Sequence, residues 1–148
     1  MRAVIQRVKK AKVSISREIV GQINEGLLVL LAVHENDTEK DITWMAKKII
    51  DLRIFSDDNE KMNLSIKDIG GEILVVSQFT LYGDCAKGNR PSFIKSARPE
   101  KAKEYYEKFV DKIRDANISL QTGKFQEHMD VELINDGPTT IVVESKKL

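Results

Sequence analysis

Two uninterrupted apolar runs constrain this chain more than any other feature. One is Leu27–Val33, reading Leu-Leu-Val-Leu-Leu-Ala-Val, and the other is Ile73–Val76, reading Ile-Leu-Val-Val; each is introduced by glycine, Gly26 in the first case and Gly70-Gly71 in the second. Short runs without polar alternation, bounded by turn residues, read as strands covered on both faces. The second run then changes character abruptly, because Ser77, Gln78 and Thr80 set three polar side chains beside a core strand. A buried polar group without a partner costs roughly 1–3 kcal/mol. Their hydrogen bonds either close the strand end or are held for a ligand, and this stretch alone leaves both readings open.

The remaining elements arrange themselves around these two strands. Ala3–Val8 has strand character, Lys9–Lys12 reads as a charged break, and Val13–Ile23 suggests a hairpin bending near Gly21. Asp37 or Thr38 can cap a helix whose apolar face is Ile42, Met45, Ala46, Ile49 and Leu52. Arg53–Ser56 returns to strand, Asp57-Asp58-Asn59 turns, and Met62–Ile69 reads as an irregular link. Beyond a long loop, Gly83–Pro99, a second helix starts on Pro99 and buries Ala102, Tyr105, Tyr106, Phe109, Val110 and Ile113. Two closing strands, Asp130–Asn135 and Thr139–Glu144, are expected to be joined by the turn formers Asn135-Asp136-Gly137-Pro138. The expectation is an α+β fold in one domain, 1–148, with a bent, barrel-like, mostly antiparallel sheet packed with two main helices.

Composition narrows the function classes. A net charge of +1 in 148 residues gives no global basic field, so nucleic-acid binding has to come from a local patch. A single cysteine, Cys85, excludes an internal disulfide and fits a reducing compartment. No apolar run approaches the ~18 residues of a membrane span, and the chain opens directly into strand-like sequence. The expected location is the cytoplasm, with no membrane partner.

Familiar catalytic sets are missing. His34 and His128 stand alone, fitting structural or solvent-exposed roles, and Cys85 has no companion at metal-ligand spacing; no metal and no cofactor are expected. Ser77 lacks the glycine-flanked elbow of serine hydrolases, and no phosphate-binding glycine loop precedes a helix. One asymmetry stands out: between Asp84 and Glu100 lie Lys87, Arg90, Lys95 and Arg98, interleaved with Phe93 and with no acid. This loop is either a phosphate-facing surface or a solvated loop whose cations pair with acids elsewhere.

Taken together, Ser77-Gln78-Phe79-Thr80-Leu81 and Asn135-Asp136-Gly137-Pro138-Thr139-Thr140 resemble the D-aminoacyl-tRNA deacylases. The similarity extends through Met1–Val8, Lys61-Met62-Asn63, Lys87–Phe93 and Gly123-Lys124-Phe125, and so covers essentially the whole chain. One departure is Gln126-Glu127, where the family usually has Gly-Ala before Met129.

The resemblance implies a homodimeric hydrolase with active sites at the subunit interface, acting on D-aminoacyl-tRNA and mischarged glycyl-tRNA and not on DNA. Ser77, Gln78, Phe79 and Thr80 of one copy would form the catalytic pocket, with Phe125 and Met129 on its wall. A cis Gly137–Pro138 unit from the other copy would hold the α-amino group and exclude L-residues. The Lys87, Arg90, Lys95 and Arg98 loop would contact tRNA. An aminoacyl ester is already activated, so positioning and oxyanion stabilisation by backbone N–H groups of Phe79 and Thr80 would suffice, helped by the neighbouring ribose hydroxyl. Thr80 as a covalent nucleophile competes with this reading, and so does a non-catalytic nucleic-acid-binding dimer. A metal-dependent hydrolase is a third class, which the ligand spacing does not favour.

Overall fold

The computed structural model describes residues 1–146. Eight strands and two α-helices follow in the order β1 (Arg2–Ile15), β2 (Glu18–Ile23), β3 (Gly26–Ala32), α1 (Glu39–Asp51), β4 (Phe55–Ser56), β5 (Met62–Leu64), β6 (Glu72–Ser77), α2 (Pro99–Asp115), β7 (Ser119–Thr122) and β8 (Asp130–Glu144). The main sheet runs β2-β1-β3-β6-β7, with β8 also paired to β1. Antiparallel pairing surrounds β1, whereas β3–β6 and β6–β7 are parallel. A parallel pair needs a crossover, and α1 and α2 lie in those two connections. The sheet is nearly closed, since β2 comes back against β7: a Cβ on Gly21 would lie 2.7 Å from the Thr122 carbonyl oxygen.

Both apolar runs are central strands because each is buried from two sides. Leu27, Val29, Leu31, Ile73 and Val75 pack into the core beneath the helices. Leu28, Leu74 and Val76 point the other way, into a second core with Val8, Ala11, Val13 and Ile23. The helical faces arise as their spacing predicts. Ile42, Met45, Ala46 and Ile49 of α1 and Ala102, Tyr106, Phe109, Val110 and Ile113 of α2 are buried in the first core, whereas Leu52, just past the end of α1, and Tyr105, expected to be buried, are only half-buried against it. Thr38 precedes α1, and the Asp41 carboxylate accepts its backbone N–H at 2.8 Å.

Four local expectations are corrected. Lys9–Lys12 does not break the strand: β1 runs through it, and irregularities in its pairing with β8 between Gln6 and Lys10 shift the phase of the inward side chains there. The hairpin bends at Ser16-Arg17, both at positive φ (48° and 72°), and not near Gly21. The link after the Asp57 turn contains β5, which pairs with β4. Asn135–Pro138 joins no hairpin: both halves of β8 run antiparallel on the same strand β1, Val131 opposite Val13 and Val142 opposite Val4, so the segment is a bulge within one long strand. Strand β7, short and polar on alternate residues, was not expected from the sequence. No helix of the described residues is long and apolar enough to cross a membrane.

Candidate active site

Strand β6 ends at Ser77, and the chain tightens at once into a single 3-10 turn, Phe79–Tyr82. The Gln78 N–H donates to the Leu31 carbonyl at 2.8 Å, which continues the β3 contact one residue past the strand. The Leu81 N–H then turns back to the Gln78 carbonyl (3.2 Å) and that of Gly83 to the Thr80 carbonyl (2.9 Å). The first N–H groups of such a turn lack internal acceptors. Among the described residues, those of Phe79 and Thr80 donate to no protein acceptor. The Gln78 side-chain amide donates to the Thr80 hydroxyl, fixing both side chains together.

This turn borders an open cleft of about 580 Å³. Its apolar walls come from Val33 and Val76 at the strand ends, Ala97 and Ala102 at the start of α2, and Phe125, Met129 and Val131 before and on β8. Ser77 and Gln78 supply polar side chains at one end, beside the Phe79 ring. The structure thus gathers Ser77, Gln78, Phe79, Phe125 and Met129 into one site, with Thr80 tied to it through Gln78. The departing residues Gln126 and Glu127 line the same cleft, as does the exposed His128, for which the sequence suggested a structural or solvent-exposed role. His34 is structural: it is buried, its Nδ1 accepts the Asn36 N–H at 3.1 Å, and its ring meets Tyr82 edge-on at 5.1 Å. Cys85 is exposed, away from the cleft lining. Among the described residues no three His, Cys, Asp or Glu side chains cluster as a metal site would require.

The loop carrying the four cations is pinned to the cleft mouth. Phe93 packs edge-on against Phe79 with ring centres 5.1 Å apart, the Ser96 hydroxyl donates to the Phe79 carbonyl at 3.1 Å, and the Glu35 N–H donates to the Lys95 carbonyl at 2.9 Å. Lys87, Arg90, Lys95 and Arg98 are all exposed, and none takes part in an ion pair among the described residues. They stand beside the cleft and not in its lining.

Gly137 and Pro138 are exposed and lie outside the lining of the chain's own cleft. The bond between them is cis, as the resemblance implied. The bulge is held by a residue that the sequence reading passed over. Arg7, 9% exposed, donates from Nη1 to the Ile54 carbonyl at 2.6 Å and from Nε to the Asp136 carbonyl at 3.2 Å. The Asn135 side-chain amide donates to the carbonyls of Arg7 (3.0 Å) and Thr139 (2.9 Å), closing the bulge from its other side. A cation inside a strand carries no distinguishing signal until its partners are known.

The family model described as D-Tyr-tRNA(Tyr) deacylase matches residues 4–144. D-aminoacyl-tRNA deacylases of Natranaerobius thermophilus and Thermotoga petrophila are 58% and 56% identical to this chain, over 99% and 100% of it respectively and 99% of each relative. Among solved structures, c-Myc DNA Unwinding Element Binding Protein superposes with a TM-score of 0.94 at 39% identity, covering 99% of this chain and 100% of that one. A probable eukaryotic D-amino acid tRNA deacylase shares the fold at TM-score 0.84 and 16% identity, covering 96% of this chain and 97% of that one. Matched along nearly its whole length by the family model and by these relatives, the chain belongs to the D-Tyr-tRNA(Tyr) deacylase family.

Proposed function

We propose that the chain hydrolyses the ester between a D-amino acid and tRNA, releasing both, with each site completed by a second copy of itself. The observation carrying this reading is the cleft. Its walls are mainly apolar, it ends in Ser77 and Gln78, and it is bordered by the N–H groups of Phe79 and Thr80, unengaged among the described residues. An aminoacyl ester needs no strong nucleophile from the protein; it needs a fixed carbonyl and donors where negative charge develops on its oxygen. Water adds to the carbonyl carbon, the bond to the ribose oxygen breaks, and the proton goes to that oxygen, with the adjoining ribose hydroxyl assisting. Thr80 orients and does not attack, because its hydroxyl already accepts the Gln78 amide, which is no base.

Gly137 and Pro138 serve the second copy's cleft. Their exposure, the hold of Arg7 on the neighbouring Asp136 carbonyl and their absence from the lining of their own cleft all fit that role. Backbone carbonyls of this unit hold the substrate's α-amino group. With amino group and carbonyl both pinned, an L side chain would run into the clamp, a D side chain points away, and glycine passes because it has nothing to exclude. Val142, 61% exposed and opposite Val4 on β1, offers the second copy an apolar contact on the outer side of β8. The unpaired cations of the Lys87–Arg98 loop take tRNA phosphates at the cleft mouth, in the cytoplasm where aminoacyl-tRNA is found.

The similarity to c-Myc DNA Unwinding Element Binding Protein favours a second reading, a non-catalytic nucleic-acid module gripping phosphate with the same loop. Incubation with D-tyrosyl-tRNA and L-tyrosyl-tRNA separates the two. The hydrolytic reading predicts release of D-tyrosine alone. Release of neither supports the binding module, and release of both overturns exclusion of the L-enantiomer.

A further inference from the structure

A second open cleft, of about 510 Å³, adjoins the first and shares with it a single residue, Phe125. One wall is α2, from Lys103 to Arg114; the other is Thr122–Phe125. Helix α2 passes from one cleft to the other in a single step, since Ala102 lines the first and Lys103 the second. The common wall is firmly held. The Phe125 ring lies 6.0 Å from that of Tyr106, and the Tyr106 hydroxyl (3.0 Å) and the Gly123 N–H (3.1 Å) both donate to the Val75 carbonyl.

Lys103 and Lys124, both exposed, flank this wall, and neither pairs with a carboxylate among the described ion pairs. The acids of the cleft, Glu107 and Asp111, sit one and two helical turns further along α2, and Asp111 is already 3.8 Å from Arg114. Charge at the far end is mixed, with Arg114 beside Asp111, whereas the Phe125 end carries Lys103 and Lys124, so a phosphate is favoured at the Phe125 end. An aromatic ring between two free cations is the arrangement that tracks single-stranded nucleic acid, with bases on the ring and phosphates on the cations.

We propose that the single-stranded 3′ end of the tRNA leaves the first cleft across Phe125, with Lys103 and Lys124 holding its first backbone phosphates. This rests on the hydrolytic reading above and adds a track distinct from the Lys87–Arg98 loop. The test compares wild type with the double variant Lys103→Gln/Lys124→Gln, using Lys40→Gln/Lys47→Gln on the exposed side of α1, outside both clefts, as a charge-matched control. The readout is the ratio of kcat/KM for D-tyrosyl-tRNA to that for D-tyrosyl-adenosine, which has no backbone phosphate. In the double variant the ratio should fall about tenfold, and the slope of log K against log salt for a CCA-ended RNA hairpin should shrink by ~1.4, while the control changes neither. An unchanged ratio and slope overturn the track. If wild type cleaves neither substrate, the hydrolytic reading falls, and the hairpin titration alone then decides for or against the RNA track.

Discussion

Replacing Arg7 with methionine keeps the volume of the side chain and removes its five donors. Two backbone carbonyls lose their partner, and that of Ile54 is buried. The nearby Asp136 carboxylate, 3.4 Å from Nε, adds little, because its side chain is 35% exposed and water screens the pair. The loss therefore comes from two charge-assisted hydrogen bonds worth about 1.5–3 kcal/mol each, or roughly 3–6 kcal/mol together. For a chain of this size, at about 2–4 °C per kcal/mol, that corresponds to a fall in Tm of at least about 6 °C and up to about 24 °C. The same change frees the Asp136–Pro138 bulge, so a folded Arg7→Met protein should deacylate D-tyrosyl-tRNA far more slowly than wild type. Thermal unfolding followed by circular dichroism, with deacylation measured well below the lowered Tm, separates the two effects. A Tm within about 2 °C of wild type together with full turnover would refute the assignment of Arg7 as the support of this bulge.

Three other changes probe separate parts of the account. Thr80→Ala should lower kcat by less than about tenfold, because only an orienting contact is lost; abolished turnover in Thr80→Ala, with an aminoacyl adduct on wild type by native mass spectrometry, would make Thr80 the nucleophile. Tyr106→Phe removes the hydroxyl bond to the Val75 carbonyl behind Phe125 and should cost about 1 kcal/mol in urea unfolding. Burial pushes the Tyr106 phenol up to about 12, so its stabilisation is complete below its ordinary value of 10.0 and is lost as pH climbs from there towards 12. Burial of Asp41 alone would raise its pKa, but hydrogen bonds from Thr38, Ser145 and Lys146 outweigh it and hold the carboxyl well below its ordinary 3.8. Its stabilisation is therefore full above that value and is lost as pH falls below it. The Tm gap between wild type and Asp41→Asn should be widest near neutral pH and close in strong acid.

The elements legible in advance were those with two independent signals. Leu27–Val33 and Ile73–Val76 had both length and unbroken apolarity, and the two helices had a three- to four-residue period plus a capping residue or a first-turn proline. What failed was local punctuation. Lys9 and Lys10 resemble a break, yet a strand with irregular pairing carries them outward without ending. Asn-Asp-Gly-Pro is as good a hairpin turn as any, and only the pairing of both flanks with one long β1 shows it to be a bulge. Ser16-Arg17 lacks the glycine or asparagine usual at positive φ, so nothing marked the true bend. At the site, the first motif supplied the residues of the turn after β6, and the second those of the bulge in β8. Arg7, Ser96 and Tyr106 stayed hidden because their work is done through backbone carbonyls far away in sequence.

The decisive measurement is subunit complementation. One parent carries Ser77→Ala/Gln78→Ala and keeps Gly137 and Pro138; the other carries Gly137→Ala/Pro138→Ala and keeps the catalytic turn. Each should be strongly impaired alone. After unfolding and refolding an equal mixture, half the dimers are mixed and each holds one complete site, so D-tyrosyl-tRNA deacylation should recover to about a quarter of wild type. Activity in the mixture no higher than the mean of the two parents, with mixed dimers verified by mass, would contradict a site built across two copies.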